Sequence, residues 1–342
     1  MGIALIYAGW WSYFPFVYVF GIIPGLELFL KPRAENLTQA EEALAGQDAF
    51  YDWLLYITLP IQFAFLLAYL YVLENSFFST FEVVGLVLSM GIMCGVFGIN
   101  VGHELGHRSS KHEQILAKIA LSSSLYMHFF IEHNRGHHKR VATIEDPATA
   151  RYGESIFSFW ARSVTFSFIS AWKLEAMRLK KRKQPFVSLQ NEMIQFMGVQ
   201  LVMLLAVLFF FSFSTMILFI LAASVGILLL ETVNYIEHYG LVRQRKENGA
   251  YERTSPHHSW NSNHIIGRLM LFELSRHSDH HYQASRKYQV LRHHNESPQM
   301  PTGYPGMMVM ALVPPLWFYV MHKKLASITE SSALAKMIDN PL

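Results

Sequence analysis

The sequence predicts an all-α membrane protein, a bundle of about five or six transmembrane helices whose cytoplasmic helical cap holds a histidine-rich metal site. Three observations support this fold class. The chain is 52% hydrophobic and only 15% charged, whereas an average soluble domain has roughly 25% charged residues. Its apolar stretches are long and lack the two-residue alternation of half-buried strands, which argues against a β fold. Its histidines gather in four short clusters outside those stretches.

Five apolar stretches reach the length of about 20 residues that a helix needs to cross a bilayer. They are residues 3–30, 53–73, 83–101, 193–211 and 215–236. The first stretch has neither a positively charged leader nor a small-residue cleavage site, so we expect it to be an anchor and not a signal peptide. The polar segments, about 102–192 and 237–325, are predicted to form the cap of a single integral-membrane domain that spans residues 1–342.

Basic residues accompany the histidine clusters, and loop 74–82 has none. The positive-inside rule therefore predicts a multi-pass protein of the inner membrane with its histidine clusters facing the cytoplasm. The basic run at residues 180–183 has two interpretations: a solvated face near anionic lipid, or a docking patch for an acidic partner protein. We expect no nucleic-acid partner.

Nine histidines make up the four clusters. They are His103 and His107 in HELGH, His133, His137 and His138 in HNRGHH, His238 in NYIEHYG, and His277, His280 and His281 in HSDHH. Neutral imidazole is the commonest metal ligand in proteins, and a zinc ion takes three or four protein ligands. Nine clustered imidazoles therefore predict two metal ions in one chamber.

Helical spacing predicts how these side chains group. Residues three or four apart share a helix face, so each cluster is expected to direct its histidines at a common point. The expected sets are His103 with His107, His133 with His137, and His277 with His280 and His281. Five further histidines, taken singly, are expected to be ordinary structural residues: His112, His128, His293, His294 and His322.

A single metal site also constrains the topology. All four clusters must then lie on one side of the membrane, so the chain between any two of them crosses an even number of times. Residues 115–131 and 156–172 are apolar, but one crossing by either would separate the clusters. We therefore expect both segments to lie in the interface or to dip and return.

The choice of metal has two interpretations. HELGH fits the H-E-x-x-H motif of zinc proteases, in which Glu104 would be the general base, but this leaves the HNRGHH and HSDHH clusters without a role. Imidazole suits iron, copper, nickel and zinc alike. A redox metal is the better match for a site against apolar helices. The lone Cys94 excludes an iron–sulfur or four-thiolate centre built by this chain alone, so any electrons must come from another protein.

Seven sequence blocks resemble the bacterial membrane-bound alkane 1-monooxygenases of the membrane fatty acid desaturase/hydroxylase superfamily. They are NVGHELGH, FFIEHNRGHH, NYIEHYGL, RHSDHH, DPAT at 146–149, PHHSWNSNH at 256–264 and PTGYPG at 301–306. The resemblance covers roughly residues 50–320 and implies that the nine histidines bind two non-heme iron ions. It further implies an enzyme that uses O2 to hydroxylate the terminal carbon of alkanes, with electrons from rubredoxin and rubredoxin reductase. The family usually has six spanning helices.

Further expectations follow from the resemblance. Acidic residues beside the ligands are candidates to hold the imidazoles by hydrogen bonds: Asp279 first, then Glu132, Glu237 and Glu104. A hydrophobic substrate is expected to enter from the bilayer between helices, along apolar side chains. The candidates are Ile99, Leu229, Val233, Tyr13, Phe14 and Phe20. A hydroxylase or desaturase acting on fatty-acyl or alkyl-aromatic substrates shares this histidine plan and is the alternative, and a non-catalytic metal-binding membrane protein is a weaker one.

Overall fold

The computed structural model of the chain describes residues 1–339, and within them it contains helices and two isolated β-bridges but no strand. Six helices of 19 residues or more lie in this range. They are α1 (Ala49–Asn75), α2 (Thr80–Gly106), α3 (Ile156–Lys181), α4 (Glu192–Phe210), α5 (Phe213–His238) and α6 (Pro314–Asp339). Within α2, residues Cys94–Asn100 form a π-helical turn.

Shorter helical segments connect these helices. Before α1 they are Gly2–Tyr7, Gly9–Tyr13, Phe14–Val17, Tyr18–Ile22, Ile23–Glu27 and Gln39–Gln47; between α2 and α3 they are Lys111–Ser122, Phe129–Ile131, Glu132–His137 and His138–Arg140. Between α5 and α6 they are Pro256–His258, Ile265–Met270, His277–Tyr282, Tyr288–Val290 and Tyr304–Ala311.

Four helices, α1, α2, α4 and α5, are long and apolar enough to cross a membrane. They coincide with the last four predicted spans and form two helical hairpins. The two hairpin turns lie at the same end of the bundle, because Glu74 at the end of α1 accepts hydrogen bonds from the backbone N–H of Ser212 (2.9 Å) and the hydroxyl of Thr215 (2.7 Å). The far ends of α2 and α5, which carry His103 and His238, therefore lie together, as an even number of crossings requires.

The first predicted span, 3–30, is not one continuous helix. Ala8 and Gly9 have positive φ angles of 47° and 50°, which end the first helical turn. The Gly9 N–H instead donates to the Glu82 carboxylate (2.9 Å). Pro15 and Pro24 each stand in the first turn of a later short helix, where proline needs no hydrogen-bond partner. Among residues 1–339 the continuous candidate spans thus number four and not five, and a crossing by the N-terminal segment stays a prediction.

Glycines let α2 and α5 approach closely. A Cβ atom on Gly226 would lie 2.7 Å from the Cβ of Cys94, and one on Gly91 would lie 2.4 Å from a methyl carbon of Val225. Small residues at such crossings allow backbones to pack in membranes, where the hydrophobic effect does not hold helices together. The crossing brings the two histidine-bearing helix ends into one site.

The ambiguous segment 115–131 doubles back, as predicted. Helix Lys111–Ser122 packs along the end of α2, where a Cβ on Gly102 would lie 2.8 Å from Leu121. The backbone then reverses at Leu125, whose φ is 51°, and enters the Phe129–Arg140 region. The second ambiguous segment belongs to α3, which extends to Lys181 and is not among the candidate spans of the described chain.

Candidate metal centre

The structure gathers all nine predicted histidines into two adjacent groups. The five-histidine group consists of His103, His107, His133, His138 and His280, and the four-histidine group consists of His137, His238, His277 and His281. Within each group the candidate ligand atoms all lie within 4.8 Å of one another. The groups touch, since the rings of His138 and His281 have centroids 4.4 Å apart. The five other histidines that the sequence analysis set aside lie in neither group.

Geometry within the five-histidine group fits a shared metal ion. The Nε2–Nε2 distances are 3.0 Å for His103–His280, His107–His133 and His133–His138, and 3.1 Å for His138–His280. Two nitrogens bound at about 2.1 Å and at right angles to one metal are about 3.0 Å apart. Hydrogen bonding does not explain the cluster equally well, because the Nε2 atom of a neutral imidazole carries at most one proton. Nε2 of His133 faces two other such nitrogens.

The four-histidine group has similar geometry and one carboxylate. Nε2 of His137 lies 3.2 Å from Nε2 of His281, and Nε2 of His238 lies 3.2 Å from Nε2 of His277. A carboxylate oxygen of Glu237 lies 3.1 Å from the same His277 nitrogen. All five side chains are buried. Glu237 is therefore the acidic candidate that reaches the metal-facing side of a histidine.

A π-helical turn corrects the expected grouping of HNRGHH. Residues Glu132–His137 are π-helical, and the wider turn of a π-helix relates residues five apart instead of four. His133 and His138 consequently point into the five-histidine group, and His137 points into the four-histidine group. The predicted pairing of His133 with His137 is wrong for this reason.

The HSDHH cluster also divides between the groups. It forms the short helix His277–Tyr282. His277 and His281, one turn apart, belong to the four-histidine group, and His280 belongs to the five-histidine group. The prediction that all three aim at one point is wrong, and the cluster instead joins the two groups.

The protonation state of these side chains suits metal binding. Burial, reinforced by the neighbouring imidazoles, lowers the pKa of His107, His133 and His138 well below 6.5. Burial likewise lowers the pKa of His280 to about 3. These four imidazoles are therefore neutral at pH 7, which is the form that binds a metal.

Asp146 is a buried carboxylate beside a candidate ligand, and the sequence patterns did not single it out. Its Oδ2 lies 2.8 Å from Nδ1 of His137 and accepts a hydrogen bond from the Thr149 hydroxyl (2.6 Å). Asp146 is buried. A carboxylate on Nδ1 holds the proton there and leaves Nε2 free for the metal. The signal was present in the DPAT block, but Asp146 lies nine residues from His137 and so had no spacing argument.

Asp279, the favoured acidic candidate, makes its hydrogen bonds elsewhere. Its carboxylate accepts from the Arg286 guanidinium (2.8 Å), the backbone N–H of Arg292 (2.8 Å) and a ring nitrogen of His294 (2.7 Å). Among the described residues it has no hydrogen bond to a candidate ligand. Asp279 thus fixes the 286–294 loop against the helix that carries three ligands.

Glu104 and Glu132 likewise contact basic residues. Glu104 accepts from Arg108 (2.8 Å) and from the backbone N–H of Tyr288 (3.2 Å). Glu132 accepts from Arg140 (2.6 Å), and burial raises its pKa to about 7. Both carboxylates therefore tie the ligand-bearing helices to their neighbours.

An apolar cavity lies between the N-terminal segment and the helices that carry His103 and His238. It is lined by residues of the N-terminal segment, α2, α5, the segment 267–274 and the helix Tyr304–Ala311. Of the candidate path residues, Phe20, Leu229 and Val233 line it, and Phe20 and Leu229 also line a second, adjoining apolar cavity. Asn100 and Leu274 line the first cavity as well, each three residues before a histidine of the centre.

The other candidate path residues lie outside both cavities. Ile99 is fully buried in the hydrophobic core. The Tyr13 hydroxyl donates to the backbone carbonyl of Phe81, and Phe14 packs against Trp11.

Comparison with known proteins identifies the family of the chain. The family model described as fatty acid desaturase matches residues 78–311. Alkane 1-monooxygenase 1 of Alcanivorax borkumensis is 42% identical over 312 residues, which cover 91% of this chain and 77% of that protein. Alkane 1-monooxygenase of Pseudomonas putida is 40% identical over 321 residues, covering 93% of this chain and 80% of the relative.

A more distant relative is the xylene/toluene monooxygenase hydroxylase component of Pseudomonas putida. It is 28% identical over 277 residues, which cover 80% of this chain and 73% of the relative. The all-helical fold, the nine converging histidines and these similarities agree. The chain belongs to the fatty acid desaturase family and, within it, to the alkane 1-monooxygenases.

Proposed function

We propose that the chain catalyses the O2-dependent terminal hydroxylation of medium- to long-chain n-alkanes to primary alcohols at a non-heme di-iron centre. The observation that carries this proposal is the convergence of nine imidazoles into two touching groups, each of which fits one metal ion. The names of the relatives give the substrate class and the reaction type.

The metal ions and the protein side chains would contribute different parts of the reaction. Two bound iron ions would supply the O2-dependent redox chemistry that an unactivated C–H bond requires. The five- and four-histidine groups would hold one ion each. Asp146 orients His137, and the apolar cavity holds the alkane and excludes water.

The zinc protease interpretation fits the structure less well. Glu104, its required base, is held by Arg108 and the Tyr288 backbone. His103 and His107 share their group with three further histidines from two other segments, whereas a catalytic zinc ion uses three protein ligands and keeps an open position.

The source of electrons and the location are also part of the proposal. The sole cysteine, Cys94, lies on α2 and is buried against Gln62 and the backbone carbonyl of Ser123. One buried thiol cannot form an electron-transfer centre, so a separate redox protein must deliver electrons. We propose rubredoxin, reduced by rubredoxin reductase, as that donor. The four candidate spans suit a multi-pass protein, and the basic polar segments favour the inner membrane with the histidine groups facing the cytoplasm.

Metal analysis and product analysis test the proposal together. Purified protein in lipid nanodiscs should carry two iron ions per chain. With rubredoxin, its reductase, NADH and O2, it should convert octane or a longer alkane to the primary alcohol. Benzylic alcohol from xylene without any alkanol would favour the alkyl-aromatic alternative, to which one relative points. One zinc ion per chain and no oxygenated product would contradict the proposal.

A further inference from the structure

A cluster of aromatic rings surrounds Tyr239, the residue that follows a histidine of the four-histidine group. Tyr239 directly follows the ligand candidate His238 and is fully buried. Its ring centroid lies 5.3 Å from that of Tyr235 and 5.3 Å from that of Trp317 on α6. The indole N–H of Trp260 donates to the Tyr239 carbonyl (2.9 Å). Easily oxidised side chains are thus packed around the residue that follows a candidate metal ligand in the sequence.

The hydroxyl of Tyr239 has a proton acceptor. Its oxygen lies 2.8 Å from Nε2 of His322 and also accepts the backbone N–H of Gly153 (2.9 Å). When His322 carries its proton on Nδ1, its Nε2 is the acceptor for the phenolic proton of Tyr239. A phenol paired with a base in this way loses an electron more easily, because its proton can leave at the same time.

The cluster of rings ends at the protein surface. The ring of Tyr152 stacks on that of His322 with centroids 4.1 Å apart and a 20° angle between their planes. Tyr152 is 64% exposed. A solvent-borne reductant can therefore reach Tyr152.

We propose that Tyr239, His322 and Tyr152 form a redox path that carries oxidising equivalents from the metal centre to the surface when O2 is activated without an alkane in the cavity. The inference rests on the proposed function, which supplies the oxidant. The path would protect the buried histidine ligands from oxidation.

Each step of the path moves one electron, and every proton released has an acceptor. Tyr239 gives one electron to the oxidised centre and its phenolic proton to Nε2 of His322, leaving a neutral tyrosyl radical. Tyr152 then gives one electron to Tyr239, and His322 returns the proton to the Tyr239 oxygen. Tyr152 releases its own proton to water. A thiol in solution reduces the Tyr152 radical by one electron and one proton, and pairs of the resulting thiyl radicals form disulfides.

Tyr235 provides an internal comparison. It lies in the same cluster, but its hydroxyl donates to the backbone carbonyl of Glu154 (2.7 Å), which is not a base. Tyr235 therefore lacks a route for its proton, and Tyr235→Phe is the matched control for Tyr239→Phe.

Radical spectroscopy tests the path. Iron-loaded protein in nanodiscs is mixed with hydrogen peroxide in the absence of alkane, frozen and examined by electron paramagnetic resonance. Wild type should give a tyrosyl signal that narrows when the tyrosine rings are deuterated. Tyr239→Phe, which keeps the ring, should lose it, and mass spectrometry should find more oxidation of the histidine ligands. Tyr235→Phe should keep the signal.

Two further variants change the residues that follow Tyr239 in the path. His322→Phe keeps a ring for Tyr152 to stack on but removes the proton acceptor, so the signal should weaken. Tyr152→Phe should confine the radical to Tyr239 and prolong it when a thiol is added.

Octanol formation by the same preparations separates this inference from the proposed function. A wild-type signal that Tyr239→Phe retains in full, or octanol formation without any tyrosyl signal, would overturn the path. A signal that depends on Tyr239 without octanol formation supports the path and counts against alkane hydroxylation only.

Discussion

Asp146 and His137 form a buried contact in which a carboxylate oxygen lies 2.8 Å from Nδ1 of a candidate metal ligand. Burial alone would raise the pKa of Asp146, but the contacts with His137 and the Thr149 hydroxyl hold it below its usual value. The ionised carboxylate keeps the proton of His137 on Nδ1. Nε2 is then always available to a metal ion.

Asp146→Asn should therefore weaken the four-histidine group. Loss of such a partner typically lowers metal affinity or activity by about 10- to 100-fold. Iron retained per chain after dialysis against a chelator of graded strength measures the change. Glu145→Gln is the control, because Glu145 is 55% exposed and lies 3.6 Å from Arg245. Equal iron retention by both variants would show that Asp146 does not support the ligand.

His238→Ala should remove one of the four candidate ligands in the four-histidine group. His238 is the last residue of α5, and its Nε2 lies 3.2 Å from that of His277. We expect the iron content to fall from two towards one per chain and alkane hydroxylation to be abolished, with the protein still inserted in membranes. Elemental analysis and octanol formation are the measurements.

His112→Ala is the matched control for that variant. His112 is exposed and its ring nitrogen contacts the hydroxyl of Ser110. It should keep both iron ions and full activity. Full activity in His238→Ala would exclude His238 from the centre.

Much of this site follows from the sequence because ligand type and apolar length leave strong local signals. All nine imidazoles and the four long apolar helices were identifiable without coordinates. The division of the histidines into five and four was not, because it depends on a π-helical turn at Glu132–His137 that α-helical spacing cannot foresee. The partner of His137 was missed for a related reason: the chain reverses between Arg140 and Asp146, and only tertiary structure brings the carboxylate back.

The N-terminal segment shows the limit of hydropathy. Its apolar length predicts one helix, but the positive φ of Ala8 and Gly9 and the hydrogen bond from Gly9 to Glu82 break that helix. Hydropathy predicts that a segment lies in an apolar environment. It cannot predict where a carboxylate distant in the sequence accepts a hydrogen bond from a backbone N–H and interrupts a helix.

Leu229→Trp should block the apolar cavity without disturbing the metal ions. Leu229 lines both adjoining cavities, so an indole would fill the space in which the alkane is proposed to bind. Misplacement of a substrate by about 1 Å can cost about a hundredfold in rate, and we expect octanol formation to fall by at least about tenfold.

Iron content and octanol formation, measured together, distinguish a blocked cavity from a damaged centre. Leu201→Trp is the control, because Leu201 lies on α4 and is 56% exposed. It should leave the rate unchanged. If Leu229→Trp kept the wild-type rate, the alkane would have to reach the centre by another route.

Glu175→Gln should lower the stability of the fold and should not act on the reaction itself. The buried Glu175 carboxylate accepts hydrogen bonds from Arg135 (3.0 Å), Arg178 (2.6 Å) and the backbone N–H of Glu192 (2.7 Å). It thereby ties α3 to the start of α4 and to the helix that carries His133. Neutralising this buried carboxylate costs about 1.5 to 3 kcal/mol, since the partly exposed Arg135 and Arg178 lose a charged hydrogen-bond acceptor. The free energy of unfolding, followed as a lower Tm, should fall by that order.

The pH dependence of this loss provides the sharper test. Burial favours the neutral form of Glu175, but the hydrogen bonds from Arg178 and the Glu192 N–H outweigh it and lower its pKa below 4.5. A carboxyl group whose pKa is lower in the folded state stabilises that state fully above its unfolded pKa and loses this effect as the pH falls. The Tm difference between wild type and Glu175→Gln should therefore be constant from pH 8 to about pH 5 and shrink below about pH 4.5. Glu296→Gln, at a half-exposed carboxylate, is the control and should have the wild-type Tm at pH 8 and at pH 4. If the Tm difference between wild type and Glu175→Gln were the same at pH 4 as at pH 8, the substitution would act through packing and not through the carboxylate charge.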